Sequence, residues 1–67
     1  MPHDSGQAVT WYTKAAEAGN ASAQFGLALM YGEGKGVPQN YGQEATWYRK
    51  AAEQGNASAQ YNLASMY

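Results

Sequence analysis

The sequence repeats itself with a period of 36 residues, and this repeat constrains the fold more than any other feature. When residues 1–31 are aligned with residues 37–67, 20 of the 31 positions are identical. The shared segment reads W-Y-x-K-A-A-E-x-G-N-A-S-A-Q-x-x-L-A-x-M-Y and begins at Trp11 and again at Trp47. Such a period, with apolar residues at helical spacing, is typical of stacked helix pairs, because one pair cannot cover its own apolar face. We therefore expect an all-α fold, an α/α solenoid of antiparallel helix pairs.

The apolar pattern predicts four helices, which we place at residues 5–18, 21–31, 41–54 and 57–67. In the first helix, apolar residues recur at the spacing of one helical face, so we expect the rings of Trp11 and Tyr12 to face a partner helix. Trp47 and Tyr48 occupy the same places in the third helix. The expected buried stripe of the second helix is Ala23, Leu27, Ala28 and Tyr31, with Met30 beside it, and the fourth helix repeats it with Ala59, Leu63, Ala64, Met66 and Tyr67.

Glycine and asparagine mark the ends of these helices. Residues 19–20 and 55–56 are both Gly-Asn, in which the glycine fits a left-handed helix end and the asparagine is a preferred N-cap. Residues 32–40, GEGKGVPQN, hold three glycines at alternate positions and a proline, so we expect a loop that cannot continue the second helix. We expect Val37 to pack back on the core and Asn40 to cap the third helix.

The composition argues against several classes of partner. Four Lys and Arg against five Asp and Glu give a net charge of −1, so there is no basic stripe for nucleic acid and no polybasic patch for a membrane surface. No apolar run approaches the ~18 residues of a membrane span, and the first residues lack the features of a signal peptide. The chain has no cysteine and a single histidine, His3, so we expect no disulfide, metal or other cofactor. Nothing in the sequence indicates the cellular compartment of the protein.

One set of residues carries a resemblance to a known family. It comprises Ala23-Gln24, Leu27, Tyr31, the Gly-x-Gly-Val loop, Ala45, Trp47, Ala51-Ala52 and Gly55. This set resembles the Sel-one-like repeat (SLR) family, which is similar to the tetratricopeptide class of α-solenoids. The resemblance covers essentially the whole chain. It departs from the family pattern at Ala28 and Ala64, where the family usually has glycine.

The resemblance also implies a repeat phase and a binding surface. On the phase of the family, the single module at residues 1–67 holds one complete repeat at residues 21–56, with an outer half-repeat at 5–18 and an inner half-repeat at 57–67. In the tetratricopeptide class the first helix of each pair lines a concave groove. The groove residues implied are Ser22, Phe25, Gly26, Leu29, Ser58, Tyr61, Asn62 and Ser65. An alternative is that Phe25 and Tyr61 pack between adjacent inner helices.

The function implied by the resemblance is a non-catalytic interaction or scaffold module that binds a peptide or protein segment in this groove. The sequence does not favour an enzyme, because no nucleophile lies beside a base. We expect Glu17, Glu33 and Glu53 to be ordinary solvated glutamates. The glycine loop follows a helix and lacks the Gly-Lys-Ser/Thr ending of a phosphate-binding loop. Helix capping explains the glycosylation sequons at Asn20 and Asn56 better than glycosylation does.

Self-assembly is the alternative function. The first and last helices resemble interior helices of a solenoid, so we expect their stacking faces to be uncovered. A second copy could stack head to tail, or two copies could form a two-fold dimer or exchange helices through residues 32–36. We expect a homo-oligomer, with a dimer favoured.

Overall fold

The structure is a computed structural model that describes residues 5–66, without the side chain of Ser5. The described residues form four α-helices, which are joined by two short turns and one loop. They are α1 (Ser5–Glu17), α2 (Ala21–Glu33), α3 (Tyr41–Glu53) and α4 (Ala57–Ser65). The main contacts join each helix to the next one along the chain, and the contact between α2 and α3 is the most extensive. None of the described helices is long and apolar enough to cross a membrane. The expected all-α, solenoid-type fold is confirmed.

Asparagine side chains begin three of the helices. The Asn20 Oδ1 atom accepts a hydrogen bond of 2.9 Å from the backbone N–H of Ala23 in α2. Asn40 and Asn56 make the same bond at the start of α3 and α4, at 3.0 and 2.8 Å. Each bond satisfies an N–H group of the first turn that has no partner within the helix. The capping role expected for these asparagines is confirmed.

The two Gly-Asn turns contain the expected left-handed glycine. The backbone angle φ is 98° at Gly19 and 89° at Gly55, values that residues with a side chain rarely adopt. α1 and α3 each end one residue earlier than expected, because the residue after each helix already belongs to the turn. α4 ends at Ser65. Tyr67, where we expected that helix to end, and His3 lie outside the described residues.

α2 is two residues longer than the sequence predicted, because Gly32 and Glu33 continue the helix. The helix ends at Gly34, whose φ of 70° is left-handed and whose N–H donates to the carbonyl of Met30. A side chain at Gly32 would overlap the Glu44 carboxylate of α3, so this glycine makes room for the neighbouring helix. The expectation that residue 32 cannot continue the helix is therefore wrong, because here glycine serves a close approach instead of a turn.

The loop after α2 folds back over the end of that helix. The backbone N–H of Asn40 donates to the carbonyl of Tyr31 at 2.9 Å, and the Gln39 side chain donates to the carbonyl of Gly32 at 2.8 Å. Val37 is half-buried, so it packs partly against the protein as expected. These contacts bring the N-cap of α3 next to the last turn of α2 and set the two helices side by side.

The core consists of two clusters of buried residues. One cluster joins α2, α3 and α4 and contains Ala28, Tyr48, Ala51 and Ala59. The other joins α1 and α2 and contains Ala16, Ala23 and Leu27. Trp47, which is half-buried, packs against both clusters. Because most of the fully buried residues are alanine, the helices can approach closely, and the half-buried rings fill the remaining volume.

Equivalent aromatic residues of the two repeats differ in burial. The Tyr48 side chain is 2% exposed, as expected, whereas Tyr12 is 42% exposed and Trp11 is 69% exposed. The expectation that the large rings of the first helix face a partner helix is therefore wrong for Trp11. It holds in part for Tyr12, because one side of that ring lies against Gly26 of α2. The difference arises because α2 packs on the Tyr48 side of α3, and no described helix covers the same side of α1.

The second and fourth helices, α2 and α4, differ in the same way. On α2, Ala23, Leu27 and Ala28 are buried as expected, and Met30 and Tyr31 are half-buried. On α4, Ala59 is buried and Leu63 is half-buried, but Ala64 and Met66 are exposed. The expected stripe is therefore wrong at those last two positions. α3 covers the face of α2 that carries Ala28, whereas the matching face of α4 is open within the described part of the chain.

Gln24 is a buried polar residue that the apolar pattern did not identify. Its side chain is 5% exposed, and its Nε2 donates to the carbonyl of Ala16 at 3.0 Å. Its Oε1 accepts a bond of 2.8 Å from the side chain of Gln54. Gln24 thus links the end of α1 to the end of α3. Its counterpart Gln60 makes the same bond to the carbonyl of Ala52, at 3.1 Å, but is exposed.

We expect the substitution Gln24→Met to lower the free energy of unfolding by about 1–3 kcal/mol, because two hydrogen bonds of this buried side chain are lost, the one to the Ala16 carbonyl and the one from the Gln54 amide. Gln60→Met is the matched control and should cost less than about 1 kcal/mol, since water can replace its exposed bond. Urea denaturation followed by circular dichroism measures both values. Equal losses of unfolding free energy in the two variants would show that burial of Gln24 adds nothing to the stability that its hydrogen bonds provide.

Glu44 lies half-buried between α3 and the last turn of α2. Burial raises the pKa of its carboxyl group, and the nearby Glu33 carboxylate raises it further. A carboxyl group whose pKa is raised by folding binds its proton more tightly in the folded chain than in the unfolded chain. Its contribution to stability therefore falls as the pH rises through the interval between the unfolded and folded pKa values.

The substitution Glu44→Gln should remove this pH dependence. We expect the variant to gain stability relative to the wild type as the pH rises from about 4 to about 7, because the wild type must ionise a partly buried carboxyl over that range. Thermal unfolding of both chains at several pH values measures the difference. Glu53→Gln, which alters an exposed glutamate of the same helix, is the control. A stability difference that stays constant with pH would contradict the expectation.

Candidate functional site

The described residues contain no group of three or more His, Cys, Asp or Glu side chains placed to hold a metal ion. Glu17, Glu33 and Glu53, the acids considered from the sequence, are all exposed. Among the described side chains, every buried nitrogen or oxygen atom has a hydrogen-bond partner. The candidates for a functional site are therefore the exposed surfaces of the helices.

Tyr48 of α3 connects the candidate groove residues of α2 with those of α4. Its ring centroid lies 5.6 Å from that of Phe25, with the two planes inclined by 47°. Its hydroxyl oxygen accepts a hydrogen bond of 3.3 Å from the Asn62 side chain. Burial raises the pKa of Tyr48, the bond from Asn62 opposes this, and Glu44 and Glu33 raise the pKa further. The hydroxyl therefore stays protonated at neutral pH.

The eight candidate groove residues divide into two groups by exposure. Ser22, Ser58, Tyr61 and Ser65 are exposed, whereas Phe25, Gly26, Leu29 and Asn62 are half-buried. Phe25 and Leu29 pack against the core cluster that contains Tyr48. Tyr61, the counterpart of Phe25, is 75% exposed. None of the eight residues carries a charge, so the surface that they form is neutral.

An open cavity of about 450 Å³ lies between α1 and the start of α2. It is lined mainly by Ala8, Trp11, Tyr12 and Ala15 of α1 and by Ser22 and Ala23 of α2. Its volume falls within the range of ligand pockets. The sequence did not indicate this cavity, because the apolar pattern predicted that a helix covers the rings of Trp11 and Tyr12. The order of the helices along the chain could have indicated the cavity, because α2 precedes α3 and covers the counterparts of these rings.

Both tryptophans carry a lysine over one face of the ring. The Lys14 ammonium lies 5.4 Å from the Trp11 ring centroid, and the Lys50 ammonium lies 5.0 Å from that of Trp47. Cation–π contacts at exposed sites stabilise by about 0.5–1 kcal/mol. The lysine covers one face of Trp11, so the rest of this exposed ring remains as contact surface beside the cavity.

Comparison with known proteins identifies the repeat. The Sel1 repeat family model matches residues 1–20, 21–56 and 57–67. A crystal structure of a Sel1 repeat protein from Oxalobacter formigenes superposes with a TM-score of 0.91 and 44% sequence identity over 94% of this chain. The match spans 26% of that solved protein. A search of curated proteins found no significant match.

These matches cover nearly the whole chain, and they agree with the resemblance read from its sequence. The residues matched by the Sel1 repeat model include all four helices and both copies of the repeated W-Y-x-K-A-A-E-x-G-N segment. Sel1 repeats generally mediate protein–protein interactions and are generally non-catalytic. The chain therefore belongs to the Sel1 repeat family.

Proposed function

We propose that this chain is a non-catalytic scaffold module that binds a peptide or protein segment across the inner helices α2 and α4. The proposed contact residues are Ser22, Phe25, Gly26, Leu29, Ser58, Tyr61, Asn62 and Ser65. The family supplies the general role, since its repeats mediate protein–protein interactions. What we propose beyond that role is the groove and the residues that bind the partner in it.

The observation that carries the proposal is the position of Tyr48. Its ring contacts Phe25 of α2 and its hydroxyl oxygen accepts a hydrogen bond from Asn62 of α4, so residues from both inner helices are held against one rigid side chain. A partner that crosses α2 and α4 meets a surface whose parts are fixed relative to one another. Such preorganisation reduces the entropy lost on binding.

The chemistry of the surface indicates what kind of segment it fits. Three exposed serines offer hydroxyl groups, and Tyr61 offers a large ring that is mostly exposed. Aromatic side chains provide contact area with little loss of conformational entropy, and hydroxyls adapt to polar groups of a partner. Because the surface has no charge, the partner segment is uncharged and binding depends little on salt.

Two serines allow a test that does not harm the fold. Ser22 and Ser58 lie in the first turns of α2 and α4, which contain no acidic residue. An acidic side chain in the first turn of a helix stabilises it by about 0.3–1 kcal/mol. We therefore expect the double variant Ser22→Glu, Ser58→Glu to melt no lower than the wild type. It should bind uncharged peptides at least about tenfold more weakly, because two charges then enter the surface and must be desolvated.

Peptides are selected against the wild-type chain from a displayed library of uncharged random sequences, and their dissociation constants are measured by calorimetry. Gln43→Glu is the matched control, since it places the same acid in the first turn of α3, at an exposed position outside the surface. It should leave binding unchanged. Failure to select any peptide, or equal losses in the double variant and the control, would overturn the proposal.

A further inference from the structure

The contact between α2 and α3 provides a template for a second contact. Phe25 and Leu29 of α2 pack on the cluster that contains Tyr48, Ala51 and Ala59, and all three of these residues are nearly or completely buried. The repeat places Tyr12, Ala15 and Ala23 at the same positions, 36 residues earlier. These three residues line the open cavity beside α1. The cavity therefore corresponds to the place that Phe25 and Leu29 fill within the chain.

The complementary half of this contact is exposed on α4. Tyr61 stands in the place of Phe25, and it is 75% exposed. Ala64 stands in the place of Ala28, which is completely buried by the contact between α2 and α3, yet Ala64 is exposed. The described part of the chain thus presents both an open cavity on α1 and the helix face that fits such a cavity.

We propose that a second copy of this chain docks α4 into the cavity on α1, so that copies associate head to tail. In this arrangement Tyr61 of one copy packs on Tyr12 of the next, as Phe25 packs on Tyr48. Trp11 takes the position of Trp47 and packs against the partner copy's counterparts of Ala16 and Leu27, which are Ala52 and Leu63. The contact shares Tyr61 and Ser65 with the proposed peptide surface, but it also uses the cavity on α1 and has a second copy of the chain as its partner, so it goes beyond the peptide-binding function.

The contact between copies is a weaker version of the internal one, because it loses interactions at two positions. Leu29 corresponds to Ser65, which has less apolar surface to bury. Gln54, which donates to the buried Gln24, corresponds to Ala18, so the side-chain oxygen of Gln60 has no such donor across the contact between copies. The association is therefore reversible and depends on concentration. It is heterologous, so it continues to larger species unless the stack closes into a ring.

Two blocked variants test the geometry of the contact. Ala64→Glu places a charge on the docking face of α4, and Trp11→Glu places one beside the cavity on α1. Both positions are exposed, so we expect both variants to keep the helical circular dichroism spectrum of the wild type. Light scattering over a range of concentrations should give species above the mass of one chain, 7.2 kDa, for the wild type and monomers for each variant alone.

An equimolar mixture of the two variants should form a dimer of one copy of each. The Trp11→Glu copy keeps an intact α4, and the Ala64→Glu copy keeps an intact cavity, so one productive contact is possible. The dimer cannot grow, because its remaining faces are both blocked. Tyr41→Glu is the control, because Tyr41 is 63% exposed and belongs to neither face, and it should associate like the wild type.

A substitution that strengthens the contact gives an independent test. Ala18→Gln introduces the residue that the repeat has at position 54, and it should supply the missing hydrogen bond to Gln60 of the other copy. We expect about a fivefold lower dissociation constant for association between copies, which corresponds to one net hydrogen bond. An unchanged constant would contradict the proposed register.

Other modes of association give different results. A two-fold contact between α4 helices would leave Trp11→Glu dimeric, and the mixture would contain no dimer of one copy of each variant. Helix exchange through the loop would leave both variants dimeric. Either outcome, or a wild type that stays monomeric at all concentrations, overturns the proposal. The peptide titrations, repeated on the monomeric Trp11→Glu variant, report separately on the groove, so each proposal can fail without the other.

Discussion

The meeting of three alanines is the contact on which the rest of the structure depends. They come from three different helices and are Ala28 of α2, Ala51 of α3 and Ala59 of α4. Each is completely buried, so the helices approach closely at this place. The approach encloses Tyr48 between α2 and α4, where it contacts Phe25 and accepts a bond from Asn62. The candidate binding surface therefore depends on a small-residue contact that lies beneath it.

The repeat made the fold predictable, because its period and its apolar spacing define stacked helix pairs. The three asparagine caps and the left-handed Gly19 and Gly55 were also predictable, since each depends on one residue and its near neighbours. The end of α2 was not predictable in this way. Gly32 continues the helix, and a side chain there would overlap Glu44, so the glycine serves a contact between residues twelve positions apart in different helices.

Burial was harder to predict than helix position, because it depends on what covers a helix. The segment that starts at Trp11 and the one that starts at Trp47 share most of their residues, yet Tyr12 is exposed where Tyr48 is enclosed. Local pattern assigns both rings to an apolar face. Only the arrangement of neighbouring helices decides whether that face is covered. The same reason explains why the cavity beside α1 was not predicted, since we expected a helix to cover the rings of Trp11 and Tyr12 that line it.

The stepwise packing of the four helices also affects how the molecule opens. Since the main contacts of α1 are with α2 and those of α4 are with α3, each of these helices has less contact to lose than α2 and α3, which share the most extensive contact. In repeat architectures, such nearest-neighbour coupling allows partial unfolding from the outside inward. We therefore expect backbone amide protons of α1 and α4 to exchange with solvent before those buried between α2 and α3, so that opening follows the order of the helices in space.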